Sequence, residues 1–352
     1  MNADWQNFLI QRGAIIESGV TQHFGESVTE LGATAQGTVL CDLGQFGTLR
    51  VSGEEAQTFL QNLLSSDIRE VTSGRAQYSS LNTAKGRVLA TLLIRRDGDD
   101  YLLQLPRELC EPIRKKLSMY VLRAKVKVTD ASDEIITLGL SGAEAQGILQ
   151  SQFGELPQQH LAVSHPSTNS GRTGDSQDSV IRISDTRFQI GISTERAKSL
   201  WADLSAKTIP AGSPCWNWLN IRDGIPVILP QTQEQFVAQM VNLDLIGGVS
   251  FSKGCYPGQE IVARTQYLGK LKRRMYRAHI GCANAPQPGD ELFSADMEGQ
   301  ASGMIANAAA APEGGFDVLA VVQIASHDAG PVHLGSLPGD RLTFQPLPYP
   351  TA

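Results

Sequence analysis

Two hydrophobic periods alternate along this chain, and the changes between them mark its elements. Trp5, Phe8 and Leu9 form one helical pattern, followed by a polar Gly/Thr/Glu stretch, so residues 1–37 read as an N-terminal arm. From Val39 a strand leads to a turn near Gly44–Gly47, and a second strand, Thr48–Ser52, follows. Ala56, Phe59, Leu60, Leu63 and Leu64 then recur at helical spacing. Tyr78–Leu81 and Arg87–Arg96 read as a hairpin around Asn82–Gly86, and Tyr101–Leu105 is another strand. Pro106 opens a helix through Ile113, Leu117 and Tyr120, and Lys125–Thr129 alternates as a strand.

Val51-Ser-Gly-Glu-Glu-Ala-Gln57 is echoed by Leu140-Ser-Gly-Ala-Glu-Ala-Gln146, which suggests two related strand–helix units, each with a serine cap. His165–Ser179 is rich in Ser, Gly, Thr, Asn and Asp and predicts an exposed loop. Val180–Ser184 and Phe188–Ile192 are strands, Thr194–Leu204 a helix, and Pro210–Pro214 a break before Trp216. After Lys272 the pattern becomes short strands between Gly-Asp and Pro-Gly turns: Arg273–Ile280, Glu291–Ser294, Ala301–Asn307, Asp317–Ile324, Val332–Leu334 and Arg341–Gln345. Such even spacing is that of a small β-barrel. The pattern therefore predicts an α+β body up to residue 276 and a barrel over 277–352.

Composition narrows the function classes without naming one. The 352 residues are 41% hydrophobic and 19% charged, and they contain no apolar run of membrane-spanning length. The N-terminus lacks a basic region followed by an apolar core, so no export signal is visible. Five cysteines, Cys41, Cys110, Cys215, Cys255 and Cys282, lie far apart without metal-knuckle spacing, which fits a reducing cytoplasm. The net charge of −6 argues against a general nucleic-acid coat. Yet from Lys253 to Arg277 seven basic residues face only Glu260. Lys270, Lys272, Arg273 and Arg274 within this run are either a solvated face or an anion site.

The segment Lys253-Gly-Cys-Tyr-Pro-Gly-Gln-Glu260 is poor core material: two glycines and a proline force irregular backbone. Gly258 suits the start of a short helix, with Gln259 and Glu260 in its first turn. Cys255 would stand beside Lys253 near that helix start, a setting that favours a thiolate, or else it is an inert cysteine in a tight turn. Glu260 and Arg264, four apart on one helical face, suit a mutual ion pair. Lys85 and Arg87 bracket Gly86 as displayed cations, either a plain hairpin tip or a ligand-side pair.

Lys-Gly-Cys-Tyr-x-Gly-Gln-Glu followed by Val262-Ala-Arg264 resembles the signature of the YgfZ family. Phe46 to Gly53, Thr83 to Ala90, Trp216 to Ile228, Asn242 to Phe251 and Pro346-Leu-Pro-Tyr349 agree with that family in order, so the resemblance runs from about residue 38 to the end. It implies the fold of the glycine-cleavage T-protein, an aminomethyltransferase, with a body of two interleaved subdomains over residues 38–276. It also implies binding of tetrahydrofolate or another reduced folate, and a transient role beside iron–sulfur enzymes that modify tRNA, without stable nucleic-acid binding or a membrane. By resemblance Phe46 and Trp216 match aromatic walls of the folate cavity, phenylalanine standing where the family has tryptophan. Lys85, Arg87, Lys253, Tyr256, Gln259, Glu260 and Arg264 are the polar ligand-side candidates, and Cys255 is the reactive thiol.

Two departures from T-protein bear on activity. Its acidic position falls here on Ala90 or Thr91, neither of which ionises, and Cys255 stands where its motif has an aspartate. A folate-binding accessory protein is therefore the expectation. A folate-dependent aminomethyl transferase and an RNA-binding module are the alternatives, separated by one-carbon turnover and by steep salt dependence of binding respectively.

Overall fold

The computed structural model describes residues 2–166, 178–267 and 269–351. The chain forms two compact units, each assembled from three stretches of sequence. The first comprises Met1–Gln57, Arg69–Gln77 and Leu93–Trp216; the second comprises Thr58–Ile68, Tyr78–Leu92 and Asn217–Ala352. The strand Val88–Asp97 passes from the second unit into the first between Leu92 and Leu93.

The first unit is built on a six-stranded sheet in the order Val163–Ser164, Ser179–Ser184, Arg187–Ser193, Ile135–Ser141, Val39–Asp42, Ile209–Ala211. Neighbours are antiparallel except the last pair, which is parallel. Strand alternation divides its two faces. Leu40, Leu138, Leu140, Val180, Phe188, Ile190 and Ile192 enter an apolar core with Leu149, Leu200 and Trp201. The opposite face carries Ser179, Arg187, Gln189, Gly139 and Gly191, the residues that alternate with them.

Trp5 and Leu9, both fully buried, belong to that same core. The N-terminal arm carries the helix its pattern predicts, Ala3–Ile10, and the polar stretch after it forms a hairpin, Ile15–Glu17 with Val20–His23, and a second helix, Ser27–Gln36. Its polar residues are used internally. Asp42 accepts hydrogen bonds from Trp5 Nε1 and Thr21 Oγ1, both at 2.9 Å, while Glu30 accepts from the Gly212 amide at 2.9 Å.

The echoed Ser-Gly pairs occupy equivalent places after the strands Phe46–Ser52 and Ile135–Ser141. Gly53 and Gly142 both have positive φ, 115° and 137°, and each lies against backbone that leaves no room for a Cβ. The serines do not cap the helices, however: the helix Ala145–Phe153 has Glu144 at its N-cap, with no side-chain cap bond. Of the expected loop His165–Ser179, residues 167–177 lie outside the described residues.

In the second unit the C-terminal strands occur nearly as read. Their order is Val332–Leu334, Glu291–Ser294, Ala301–Ala310, Phe316–Gln323, Arg273–Ile280, Leu342–Gln345, all antiparallel. A bridge between His333 and Arg341 brings the two edges of this curled sheet together. The first strand begins at Arg273, and its Met275 packs with Val88, Ile221, Val241, Leu243 and Val262. The sheet is thus continuous in packing with residues far earlier in the chain.

Candidate functional site

The loop Lys253–Gly258 is held from beneath. Lys253 is only 5% exposed, and its ammonium donates to the carbonyls of Leu64 and Ser66 at 2.7 and 2.8 Å. Its Nζ also lies 5.2 Å from the centre of the Tyr256 ring, within range of a cation–π attraction. Beneath it, Ser65 Oγ accepts from the Ser80 amide at 2.8 Å and donates to the Gly248 carbonyl at 2.6 Å. The Ser250 amide bonds the Ser65 carbonyl. Lys253, read as a ligand-side neighbour of the thiol, turns its ammonium inward as an anchor of the loop.

A second hold comes from glycines in two segments that the sequence presents separately. Gly86 and Gly258 both have positive φ, 72° and 81°. A Cβ on Gly258 would lie 2.6 Å from the Gly86 nitrogen and from the Thr83 carbonyl oxygen. The Thr83–Arg87 turn and the Cys255 loop therefore meet backbone to backbone. From Gly258 the chain enters the helix Gln259–Tyr267, the Gly258 carbonyl accepting from the amides of Ile261 and Val262. Between these holds Cys255 is exposed, whereas Cys41, Cys110 and Cys215 are buried and Cys282 is half-buried.

The other polar candidates divide. Lys85, Glu260 and Arg264 are exposed. Arg87 turns back to donate to the Gln235 carbonyl at 2.7 Å, and Gln259 Nε2 lies 3.5 Å from the Lys253 carbonyl. Tyr256 is buried; its hydroxyl has no partner among the described residues, and burial pushes its pKa up to about 12. The basic run does not form one anion site. Arg274 Nη1 bonds both carboxylate oxygens of Asp244, at 2.8 and 3.0 Å, and the Gln239 carbonyl at 2.7 Å. Arg277 bonds the Arg222 carbonyl, while Lys270 and Lys272 remain exposed.

The two aromatic candidates belong to the first unit. Trp216 is fully buried. Gly139 lies under the ring, where a Cβ would sit 2.6 Å from Cε3, and the Arg187 guanidinium stands 4.2 Å from the ring centre. Trp216, expected as an aromatic wall of the folate cavity, is thus packed against Gly139 and Arg187. Its indole N–H nevertheless finds no partner among the described residues. Phe46 is half-buried and lines a small recess with Asp42, Arg107 and Ser132. Burial raises the pKa of Asp42, opposed by its bonds to Trp5 and Thr21.

Sequence reasoning missed the polar face around Trp216. Gln189 Oε1 and Ser179 Oγ, both buried, have no partner among the described residues. Arg95 reaches this face by lying across Gly191. Only the alternation in Arg187-Phe-Gln-Ile-Gly-Ile192 hints at it, with polar residues and glycine at every second position. At the position of the T-protein acid there is no ionisable group: Ala90 is fully buried, and the Thr91 hydroxyl accepts from the Ile228 amide at 3.1 Å.

Comparison with known proteins matches residues 10–246 to the family described as the GCVT N-terminal domain. The tRNA-modifying protein YgfZ of Colwellia psychrerythraea is 32% identical over 248 residues, 68% of this chain and 71% of that protein. The tRNA-modifying protein YgfZ of Escherichia coli O127:H6 is 29% identical over 312 residues, 88% of this chain and 93% of its own. Among solved structures, aminomethyltransferase T of the glycine cleavage system from Bartonella henselae superimposes with a TM-score of 0.75. That match covers 99% of this chain and 97% of the other at 15% identity, and it establishes a shared fold. With the Lys253–Glu260 signature locked against the Thr83–Arg87 turn, these matches make the chain a member of the YgfZ family, built on the aminomethyltransferase fold.

Proposed function

We propose that this protein binds a reduced folate and uses Cys255 in support of iron–sulfur enzymes that modify tRNA, including thiomethylation, without transferring aminomethyl groups itself. The observation that carries the reading is the Cys255 loop: an exposed thiol on backbone fixed by Lys253 and by the Gly86–Gly258 contact. A fixed, accessible thiol suits brief exchange with a partner's sulfur or metal. One cysteine supplies one of the roughly four ligands a cluster takes, so any cluster contact is transient.

Folate fits the polar face of the first unit in chemistry. A pterin, an amide and a carboxylate tail need donors, acceptors and a cation; that face carries an unpartnered indole N–H, a glutamine oxygen, a serine hydroxyl and a guanidinium. Bound folate would supply a reduced pterin, while the chain's residues orient it. Ala90 and Thr91 offer no general base for one-carbon transfer. The names of the relatives support the tRNA part of the reading, and the signature around Cys255 supports the iron–sulfur part.

The test has two arms. Tetrahydrofolate titrated against the purified protein should change its tryptophan fluorescence, without ammonia release from an aminomethyl donor. A strain lacking the protein should lose tRNA thiomethylation and regain it with the wild-type chain but not with Cys255→Ser. Full rescue by the serine variant, or aminomethyl turnover, defeats the proposal.

A further inference from the structure

Arg95 is the least explained charge in the first unit. It is 8% exposed, and no hydrogen bond or ion pair with a described residue engages its guanidinium. Burial lowers its pKa to about 10, which still leaves it protonated at neutral pH. The nearest carboxylate along its strand, Asp97, bonds Arg50 at 2.8 Å and acts on Arg95 only through space. A buried unpaired charge is costly, and a purely structural arginine is normally paired.

Its position explains why Gly191 is glycine. A Cβ there would collide with Arg95 Nη2 and lie 2.8 Å from Ser179 Oγ. The guanidinium and the hydroxyl therefore converge over one point of the sheet. Ser179 is the cross-strand partner of Gly191, and Gln189, two residues along the same strand, shares their face. Ser179 Oγ and Gln189 Oε1 are both buried without partners among the described residues.

We propose that Arg95, Ser179 and Gln189 form a subsite for the carboxylate and adjoining amide of an N-acyl amino acid, the glutamyl end of the folate in the function proposed above. The guanidinium fork and the serine hydroxyl donate to the carboxylate oxygens. Gln189 Oε1 accepts the neighbouring amide N–H. Of the three, Arg95 carries the charge; Arg187, on the same face, has its guanidinium 4.2 Å from the centre of the Trp216 ring. The inference rests on the folate reading for its ligand but on the Gly191 cradle for its place.

Isothermal titration of the full chain with tetrahydrofolate, tetrahydrobiopterin and p-aminobenzoylglutamate separates the two claims. Arg95→Leu should weaken tetrahydrofolate and p-aminobenzoylglutamate by about tenfold or more, and leave the tail-less pterin unchanged. Its melting temperature should hold or rise, because an uncompensated buried charge is removed. Should Arg95→Leu fail to fold, Ser179→Ala decides by the same comparison, with a loss of about threefold to tenfold expected. Tetrahydrofolate affinity within about twofold of wild type in the folded variant overturns the subsite and leaves folate binding standing. If wild type binds p-aminobenzoylglutamate but no tetrahydrofolate, the subsite stands and the folate reading falls. Absence of p-aminobenzoylglutamate binding to wild type overturns the subsite.

Discussion

Gly86 and Gly258 lie 172 positions apart in sequence yet share one backbone contact, in which the missing Cβ of Gly258 would sit 2.6 Å from the Gly86 nitrogen. Gly258 cannot take a Cβ without moving main chain, while a Cβ on Gly86, also at positive φ, would press on Ile261 and on the Gly258 oxygen at 3.2 Å. Gly258→Ala should cost about 3 kcal/mol, combining positive φ with overpacking. Gly254→Ala, where a Cβ would meet nothing within 4 Å, should change stability by less than about 0.5 kcal/mol. Urea unfolding of the two variants checks the contrast; equal costs would show that the contact does not fix the loop.

Lys253→Met tests the anchor. It removes the donor to two buried carbonyls and should destabilise the protein by about 2–4 kcal/mol. Because Cys255 sits two residues on, limited proteolysis should cleave near residue 255 in this variant before it cleaves wild type. Unchanged stability and an unchanged cleavage pattern would return Lys253 to the role of a surface cation.

The cysteines should separate by exposure and by pH. Cys110 and Cys215 have pKa values raised to about 11 by burial, and burial raises that of Cys41 as well. These thiols stay protonated at pH 8 in the native fold, and the thiolate fraction of Cys110 and Cys215 grows only as pH climbs towards about 11. Maleimide labelling at pH 8 should therefore mark Cys255 first, with mass spectrometry of the peptides as readout. Prior modification of Cys110 or Cys215 in native protein would contradict the burial argument.

How far the sequence led depended on the range of the determining contacts. The C-terminal strands were legible because alternation and turn residues lie within each hairpin, and Arg273–Ile280 and Glu291–Ser294 fall where their pattern places them. The N-terminal helix was legible in its spacing but its burial was not, because Trp5 and Leu9 share a core with Ile190, Leu200 and Trp201, which arrive more than 150 residues later. The Cys255 motif was visible as displayed backbone, but the inward turn of Lys253 depends on carbonyls at Leu64 and Ser66. Arg95 was hidden altogether. It ends an apolar strand run, and nothing local signals that Gly191 makes room for it.

The C-terminal Pro-Leu-Pro-Tyr segment makes a separable prediction. Tyr349 Oη donates to the Gly224 carbonyl at 2.6 Å, and Asn242 Nδ2 lies 3.4 Å from it. Tyr349→Phe should lower stability by about 1–2 kcal/mol, seen as a fall in melting temperature. Gly224→Ala should cost more, since its φ is 65° and a Cβ would lie 2.7 Å from both Leu347 and Tyr349. A silent Tyr349→Phe would show the segment to be a passive cover.

The threefold weaving of each unit has a consequence for how the protein is made. On the ribosome, Thr58–Ile68 and Tyr78–Leu92 emerge while their packing partners from Asn217 onward are still unsynthesised. At about 5–20 residues per second, those apolar segments wait several seconds or longer before their core can close. The first unit is free to complete once Trp216 has cleared the exit tunnel, while the second waits for the residues from Asn217 to Ala352. Nascent chains stalled between these points should carry a finished first unit and two unsheltered inserts, the species on which a chaperone would act.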